Sequence, residues 1–196
     1  MADITKRSSI GAQRNPASED AILAAAEAIL REGGLAAFSI EAVARRAKAG
    51  KPTIYRWWPS KAALLLDVYH RQKGETFYAD TGSTRQDLIL FLEALLGFWR
   101  GSGGDVFRSV IAEAQSDSAA LEALRDYAVT RCQASGIILE RGQARGEIAE
   151  GLNAPLLMEL FSSFCWNRLL TGRLEVSPKE ITEIVDAILG GFARRG

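Results

Sequence analysis

Ser39-Ile40-Glu41-Ala42-Val43-Ala44-Arg45-Arg46-Ala47-Lys48-Ala49-Gly50-Lys51-Pro52-Thr53-Ile54-Tyr55-Arg56-Trp57-Trp58-Pro59-Ser60-Lys61 is the stretch on which the fold turns. Ser39 is a good helix N-cap, and Ile40, Val43, Ala44 and Ala47 follow it at helical spacing. Ala49-Gly50 breaks that pattern. Lys51 and Pro52 open a second segment, where proline is tolerated in the first turn, and Trp58-Pro59 closes it. Two short helices separated by a glycine break have the geometry of a helix-turn-helix. The second is about seven residues long, too short to persist alone in water. Ile54 and Trp58, one turn apart on one face, must therefore pin it to the helices before and after it. The opposite face presents Lys51, Thr53, Tyr55, Arg56 and Trp57, which combine donors, positive charge and aromatic surface. The DNA major groove admits a helix bearing such a face. Lys61 falls in the first turn of the next helix, where a cation opposes the helix dipole and a bound phosphate would relieve it.

Helical periodicity extends in both directions. Upstream, Ser18 is the expected N-cap of a first helix carrying Ile22, Ala25, Ala26, Ile29 and Leu30 on one side and ending at Gly33-Gly34. Met1 to Ala17 is polar and basic, with Lys6, Arg7 and Arg14, and reads as a flexible arm. Downstream, Ser60 caps a helix through Ala62, Leu65, Leu66 and Tyr69. Five more are expected over about 84–101, 105–116, 118–145, 154–171 and 178–194. Turns are expected at Gly101 to Gly104, Gly146, Gly151, Gly172 and Pro178. No segment alternates as a strand does. The expected fold is all-α: an N-terminal three-helix helix-turn-helix domain followed by a C-terminal helical bundle, about nine helices in total.

Composition narrows the function. The 196 residues are 47% hydrophobic and 24% charged, ordinary values for a soluble domain. No window has the roughly 18 consecutive apolar residues of a membrane span, and the first residues lack a signal-peptide core, so a cytoplasmic location is expected. Cys132 and Cys165 form no disulfide framework or metal spacing, and His70 is the sole histidine. No nucleophile–base pair or cofactor motif is present, so neither an enzyme nor a bound cofactor is expected. The net charge of zero hides an asymmetry. Residues 1–73 hold 12 Lys/Arg against 7 Asp/Glu, and residues 74–196 hold 12 against 17. A polyanion partner for the front half alone fits this division.

Thr53-Ile54-Tyr55-Arg56-Trp57-Trp58-Pro59-Ser60-Lys61, preceded by Phe38-Ser39-Ile40-Glu41-Ala42-Val43-Ala44, closely resembles the DNA-binding signature of TetR-like (tetracycline-repressor) regulators. The resemblance is specific over about residues 18–69 and only architectural beyond. It implies that Thr53 and Tyr55 contact the DNA backbone, that Trp57 faces phosphate or sugar, and that Ser39 and Lys61 clamp phosphates. Lys51, Pro52 and Arg56 would lie where base edges are read. Two departures stand in the turn: Gly50 replaces the usual capping Ser, and Lys48 stands where Gly is usual. Read this way, residues 1–17 are the arm, 18–64 the DNA-binding domain, and 65–196 a ligand-binding and dimerisation domain.

The eighth and ninth predicted helices suggest the dimer. The eighth is apolar nearly all round, and the ninth carries a stripe of Ile181, Ile184, Val185, Ile188, Leu189 and Phe192. The family resemblance implies a two-fold four-helix interface of these helices and a near-palindromic DNA operator. It also implies a pocket among the fifth to eighth helices for a small-molecule effector, hydrophobic or amphipathic. The residues expected to line it are Trp99, Phe107, Met158, Phe161, Cys165 and Trp166, with Arg125 or Arg131 as a polar anchor. The leading expectation is a repressor released from DNA by its ligand. Alternatives are an effector-independent regulator or activator and, from another class, a helical-bundle enzyme or interaction scaffold.

Overall fold

In the computed structural model, residues 16–74 and 78–192 are described, Phe192 by its backbone only. These residues form ten helices and no strand. They fall into two compact units, the first ending at Pro59 and the second beginning at Ser60.

The first unit holds α1 (Pro16–Ala37), α2 (Ile40–Ala47) and α3 (Lys51–Trp57). Helix α1 begins at Pro16 rather than after Ser18, because proline's fixed φ suits a first helical turn. Residues 1–15 of the expected arm lie outside the described residues, while Pro16 and Ala17 belong to α1. The expected stop at Gly33-Gly34 is a kink: Gly34 takes φ 61°, and a further turn follows to Ala37. Gly33 is needed for packing, since a Cβ there would stand 2.5 Å from that of Ala37. Ile22, Ala26, Ile29 and Leu30 form the buried face of α1, and α2 packs across it.

The second unit contains α4 (Lys61–Lys73), α5 (Thr84–Arg100), α6 (Ser102–Ala114), α7 (Ser118–Ser135), α8 (Ile137–Ala144), α9 (Ala154–Leu170) and α10 (Pro178–Phe192). Helix α4 packs on α6 and α7, α7 on α9, and α10 on α5. Side chains cap most of these helices. Ser60, Ser83, Asp117 and Asn153 each accept a hydrogen bond from the backbone N–H three residues on. Ser177 and Glu180 form a reciprocal capping box at α10.

Two expected boundaries differ. The helix expected over about 118–145 is divided at Gly136 into α7 and α8. The glycine-rich stretch Gly101–Gly104 is not a free turn, because Ser102 to Gly104 form the first turn of α6. A Cβ at Gly103 would lie 2.4 Å from the Phe98 ring, and one at Gly104 would lie 2.1 Å from the Trp99 carbonyl oxygen. Those glycines are present so that α6 can start hard against the end of α5. Of the α10 stripe, Ile181 and Val185 are buried; the Phe192 side chain lies outside the described residues.

Candidate nucleic-acid interface and ligand cavity

Helix α3 spans seven residues. Ile54 and Trp58 are its buried anchors, at 0% and 1% exposure. Helix α2 leads into it under tight control. The Ser39 hydroxyl oxygen accepts from the Ala42 N–H at 3.1 Å, and Lys48 closes α2 in the left-handed region at φ 52°. A non-glycine residue there is strained by its Cβ, which accounts for glycine as the usual occupant. Gly50 caps α3 with no side-chain hydrogen bond.

The exposed face of α3 carries Lys51, Pro52, Tyr55 and Arg56, with Thr53 and Trp57 half-buried beside them. Tyr55 is 48% exposed. The Arg56 guanidinium sits 5.8 Å from the centre of the Trp57 ring, whose edge meets Trp58. Lys51 donates to Glu41 at 2.5 Å, and this bond lowers the Glu41 carboxyl below its ordinary range. Two further N–H donors of the exposed ammonium remain for other contacts. Arg46 likewise grips Glu32, away from α3. Lys61, in the second unit, is 3.7 Å from Glu113 of α6. The relief that the sequence assigned to a phosphate is here provided by a carboxylate.

In the second unit, α4, α5, α6, α7 and α9 surround a cavity of about 660 Å³. Of the residues expected to line it, the structure brings together Trp99, Phe107, Trp166 and Arg131. Met158, Phe161 and Cys165 are not in its wall. They point into the packed core at 0–1% exposure. Helix α9 serves two surroundings: Leu157, Met158, Phe161, Cys165 and Leu169 enter the core, whereas Pro155, Leu156, Glu159, Ser162, Ser163 and Trp166 line the cavity. Large apolar side chains stand on both sides of α9, so their spacing alone did not separate core from cavity. Arg125 is exposed and is not among the lining residues. Six residues along α7 from Arg131, it points to another side of that helix.

Several lining residues escaped the sequence reading: Tyr69 and Lys73 of α4, Tyr78 before α5, and Tyr127 of α7. One signal was available. Lys73 continues the buried stripe Ala62, Leu65, Leu66, Tyr69, where a lysine is out of place unless it serves a purpose. Tyr69 is the hub. Its hydroxyl oxygen accepts from Trp99 Nε1 at 2.7 Å, and its ring stacks on Phe107, which stacks in turn on Trp99. Burial pushes the Tyr69 and Tyr127 phenols far up, so both stay protonated. Burial, reinforced by the charge of Arg131, brings the Lys73 ammonium down to about 8.

Similarity to known proteins follows this division. Residues 22–68 match the model of bacterial regulatory proteins of the tetR family, and residues 78–188 match the tetracyclin repressor-like C-terminal domain. The chain belongs to the tetracycline-repressor family. Over 178 residues it is 33% identical to the HTH-type transcriptional regulator YdeS of Bacillus subtilis, covering 89% of each chain. It is 28% identical to the DNA-binding transcriptional repressor TetR of Mycobacteroides abscessus, covering 90% of this chain and 94% of that one. The crystal structure of the TetR family transcription regulator SCO0332 superposes with a TM-score of 0.77 at 29% identity, over 90% of this chain and 99% of that one. This TetR-family chain is thus a DNA-binding transcription regulator and not an enzyme. Among the described residues, no cluster of three or more His, Cys, Asp or Glu is placed to hold a metal, and no helix is long and apolar enough to cross a membrane.

Proposed function

We propose that this regulator is a repressor that leaves its operator when a small molecule occupies the cavity of the second unit. The observation that carries this reading is a covalent one. Only three residues separate the end of α3 from the start of α4, and the far end of α4 supplies Tyr69 and Lys73 to the cavity wall. A ligand that favours one setting of α4 has a direct route along the chain to the recognition helix. It acts only through its differential affinity for the two settings. The similarity to a relative named as a DNA-binding transcriptional repressor supports the sign of the effect.

On DNA, Lys51, Pro52 and Arg56 read base edges, Thr53, Tyr55 and Trp57 rest on the backbone, and Ser39 and Lys61 hold phosphates. The exposure of Tyr55 and Arg56 supports these roles. The functional molecule is a homodimer through α9 and α10, on a near-palindromic site. Leu160 and Leu170, with Leu156 at the cavity's rim, support this, because they leave apolar surface on α9, each about half exposed.

Binding of purified protein to an operator duplex, followed by fluorescence anisotropy against salt, tests the DNA half. The log–log slope should be near −0.9 per phosphate neutralised, and Lys61→Ala should flatten it by about one phosphate. An unchanged slope removes Lys61 from the interface. Leu160→Glu should give monomers in sedimentation and weaken operator binding. The effector half is tested by screening compounds for a raised Tm and adding the hits to the DNA complex. Hits that stabilise the protein and leave operator affinity untouched overturn ligand-driven release.

A further inference from the structure

Between Ser39 and Lys61 the chain has six cations and a single acid, Glu41. A segment that approaches a polyanion has no electrostatic reason to carry one. The place of Glu41 in the first turn of α2 suits the helix dipole, but the dipole does not account for what it touches. Its carboxylate accepts from the ammonium of Lys51, the first residue of α3, with Oε1 and Nζ 2.5 Å apart. The two side chains are 55% and 50% exposed, so the bond adds little to the stability of the fold. Arg46 and Glu32, by contrast, tie α2 back to α1. The Glu41–Lys51 bond joins the openings of the two helices of the helix-turn-helix, with Lys51 on the exposed face of α3.

This bond sets an acceptor and a donor side by side, both open to solvent. An ionised carboxylate only accepts, and an ammonium only donates. In the major groove cytosine offers its N4 amine as a donor, and the guanine paired with it offers O6 and N7 as acceptors. The cytosine amine and guanine O6 are hydrogen-bonded to each other, so they lie about 3 Å apart. A carboxylate oxygen and an ammonium 2.5 Å apart match that edge in spacing and in chemistry. Adenine also carries an amine, but its N7 acceptor stands beside it and repels a carboxylate, and thymine offers no donor. We infer that Glu41 is a specificity residue that, together with Lys51, reads one C·G pair in each half-site: its carboxylate accepts from cytosine N4 while the Lys51 ammonium donates to guanine O6 or N7. Lys51 does this with its remaining N–H groups and keeps its bond to Glu41. The bond also holds the Glu41 carboxyl below its ordinary range, so it stays ionised at neutral pH. The charge of Lys51 offsets the cost of bringing a carboxylate between phosphates.

This inference rests on the reading that α3 enters the major groove, and selection from a randomised duplex library with the full chain separates the two. The wild type should enrich sequences with one C·G pair that responds to both residues. Glu41→Gln keeps the length of the side chain, but an amide both donates and accepts, as adenine N7 and N6 require. The preference for cytosine over adenine at that position should fall by about ten-fold or more. Lys51→Met should relax the same base pair, and Arg56→Ala a different one. Glu41→Gln and Lys51→Met should both melt with the wild type, because the bond they break is exposed. Unchanged selection by Glu41→Gln, while Arg56→Ala still relaxes its own position, overturns the role of Glu41 and leaves α3 in the groove. Relaxation of two separate base pairs by Glu41→Gln and Lys51→Met overturns the joint reading. A lowered Tm in Glu41→Gln with unaltered selection makes the bond a strut between helices and overturns the proposal too. If none of the three variants alters the selected sequences, the placement of α3 fails with it.

Discussion

The α3 face and the cavity both present cations and aromatic rings, but they hold them in opposite ways. On the first unit Lys51 and Arg56 are exposed. Lys51 rests against a carboxylate that is itself half exposed, a contact that contributes little and is easily traded for another partner. In the second unit Lys73 and Arg131 sit among buried rings that also form the core. A surface built from exposed side chains can change its partner without touching the fold. A cavity cut into the core has no such freedom, because its walls are also the packing that holds α4, α5, α6 and α7 together.

The largest effect that separates the two regions is expected at Phe107. It is 2% exposed, stacks on both Tyr69 and Trp99, and meets Trp166 edge-on. Phe107→Ala should lower stability by about 3–5 kcal/mol in denaturant titration. A loss below about 1 kcal/mol would show that the cavity wall is not core, and the contrast would fail. Arg56→Ala should do the reverse: no change in Tm, and a preference at one operator position relaxed by about 1–3 kcal/mol in competition binding. A weakening that is equal on every sequence would move Arg56 from base readout to backbone contact.

A milder effect is expected in acid. At the far end of the second unit, Glu147 accepts from the Thr84 N–H at 2.7 Å and from Arg145 at 2.7 Å. Burial opposes ionisation of its carboxyl, but these bonds outweigh burial and bring it down from 4.5 to about 2. The folded form therefore binds this proton less readily than the unfolded chain. Its stabilisation is complete above pH 4.5 and is lost as pH falls towards 2. Solvent screening reduces the effect, since about a third of the side chain is exposed. Glu147→Gln should flatten the fall of Tm across that window, and an unaltered acid limb would show that other carboxylates govern it. The smallest effect belongs to the first unit. Lys48→Gly relieves the left-handed strain at the end of α2 and should raise stability by about 1 kcal/mol, measured by thermal melting with operator affinity unchanged. A decrease would mean that glycine's entropy in the unfolded chain exceeds the strain.

How much was legible differs between the regions for a physical reason. Helix α3 could be read residue by residue. Its Gly50 break, its Pro52 and its closing Trp58-Pro59 act within a few residues of chain, and Ile54 and Trp58 mark the inner face by spacing alone. The cavity lining was half legible. Trp99, Phe107 and Trp166 were found by size and Arg131 by charge. Met158, Phe161 and Cys165 lie in the core instead; α9 carries large apolar residues on both its core side and its cavity side, and size alone does not separate them.

The sequence by itself determined an all-helical chain, the position of its helix-turn-helix and the side of α3 that stays in solvent, because caps, breakers and periodicity are local. Only the tertiary structure decided that Gly103 and Gly104 are contact points rather than a loop, that Glu113 stands beside Lys61, and that Lys73 and Arg131 share one cavity. Those facts depend on which helices pack side by side. Residues 73 and 131 lie 58 positions apart in the chain, and no local pattern records that α4 and α7 bring them together.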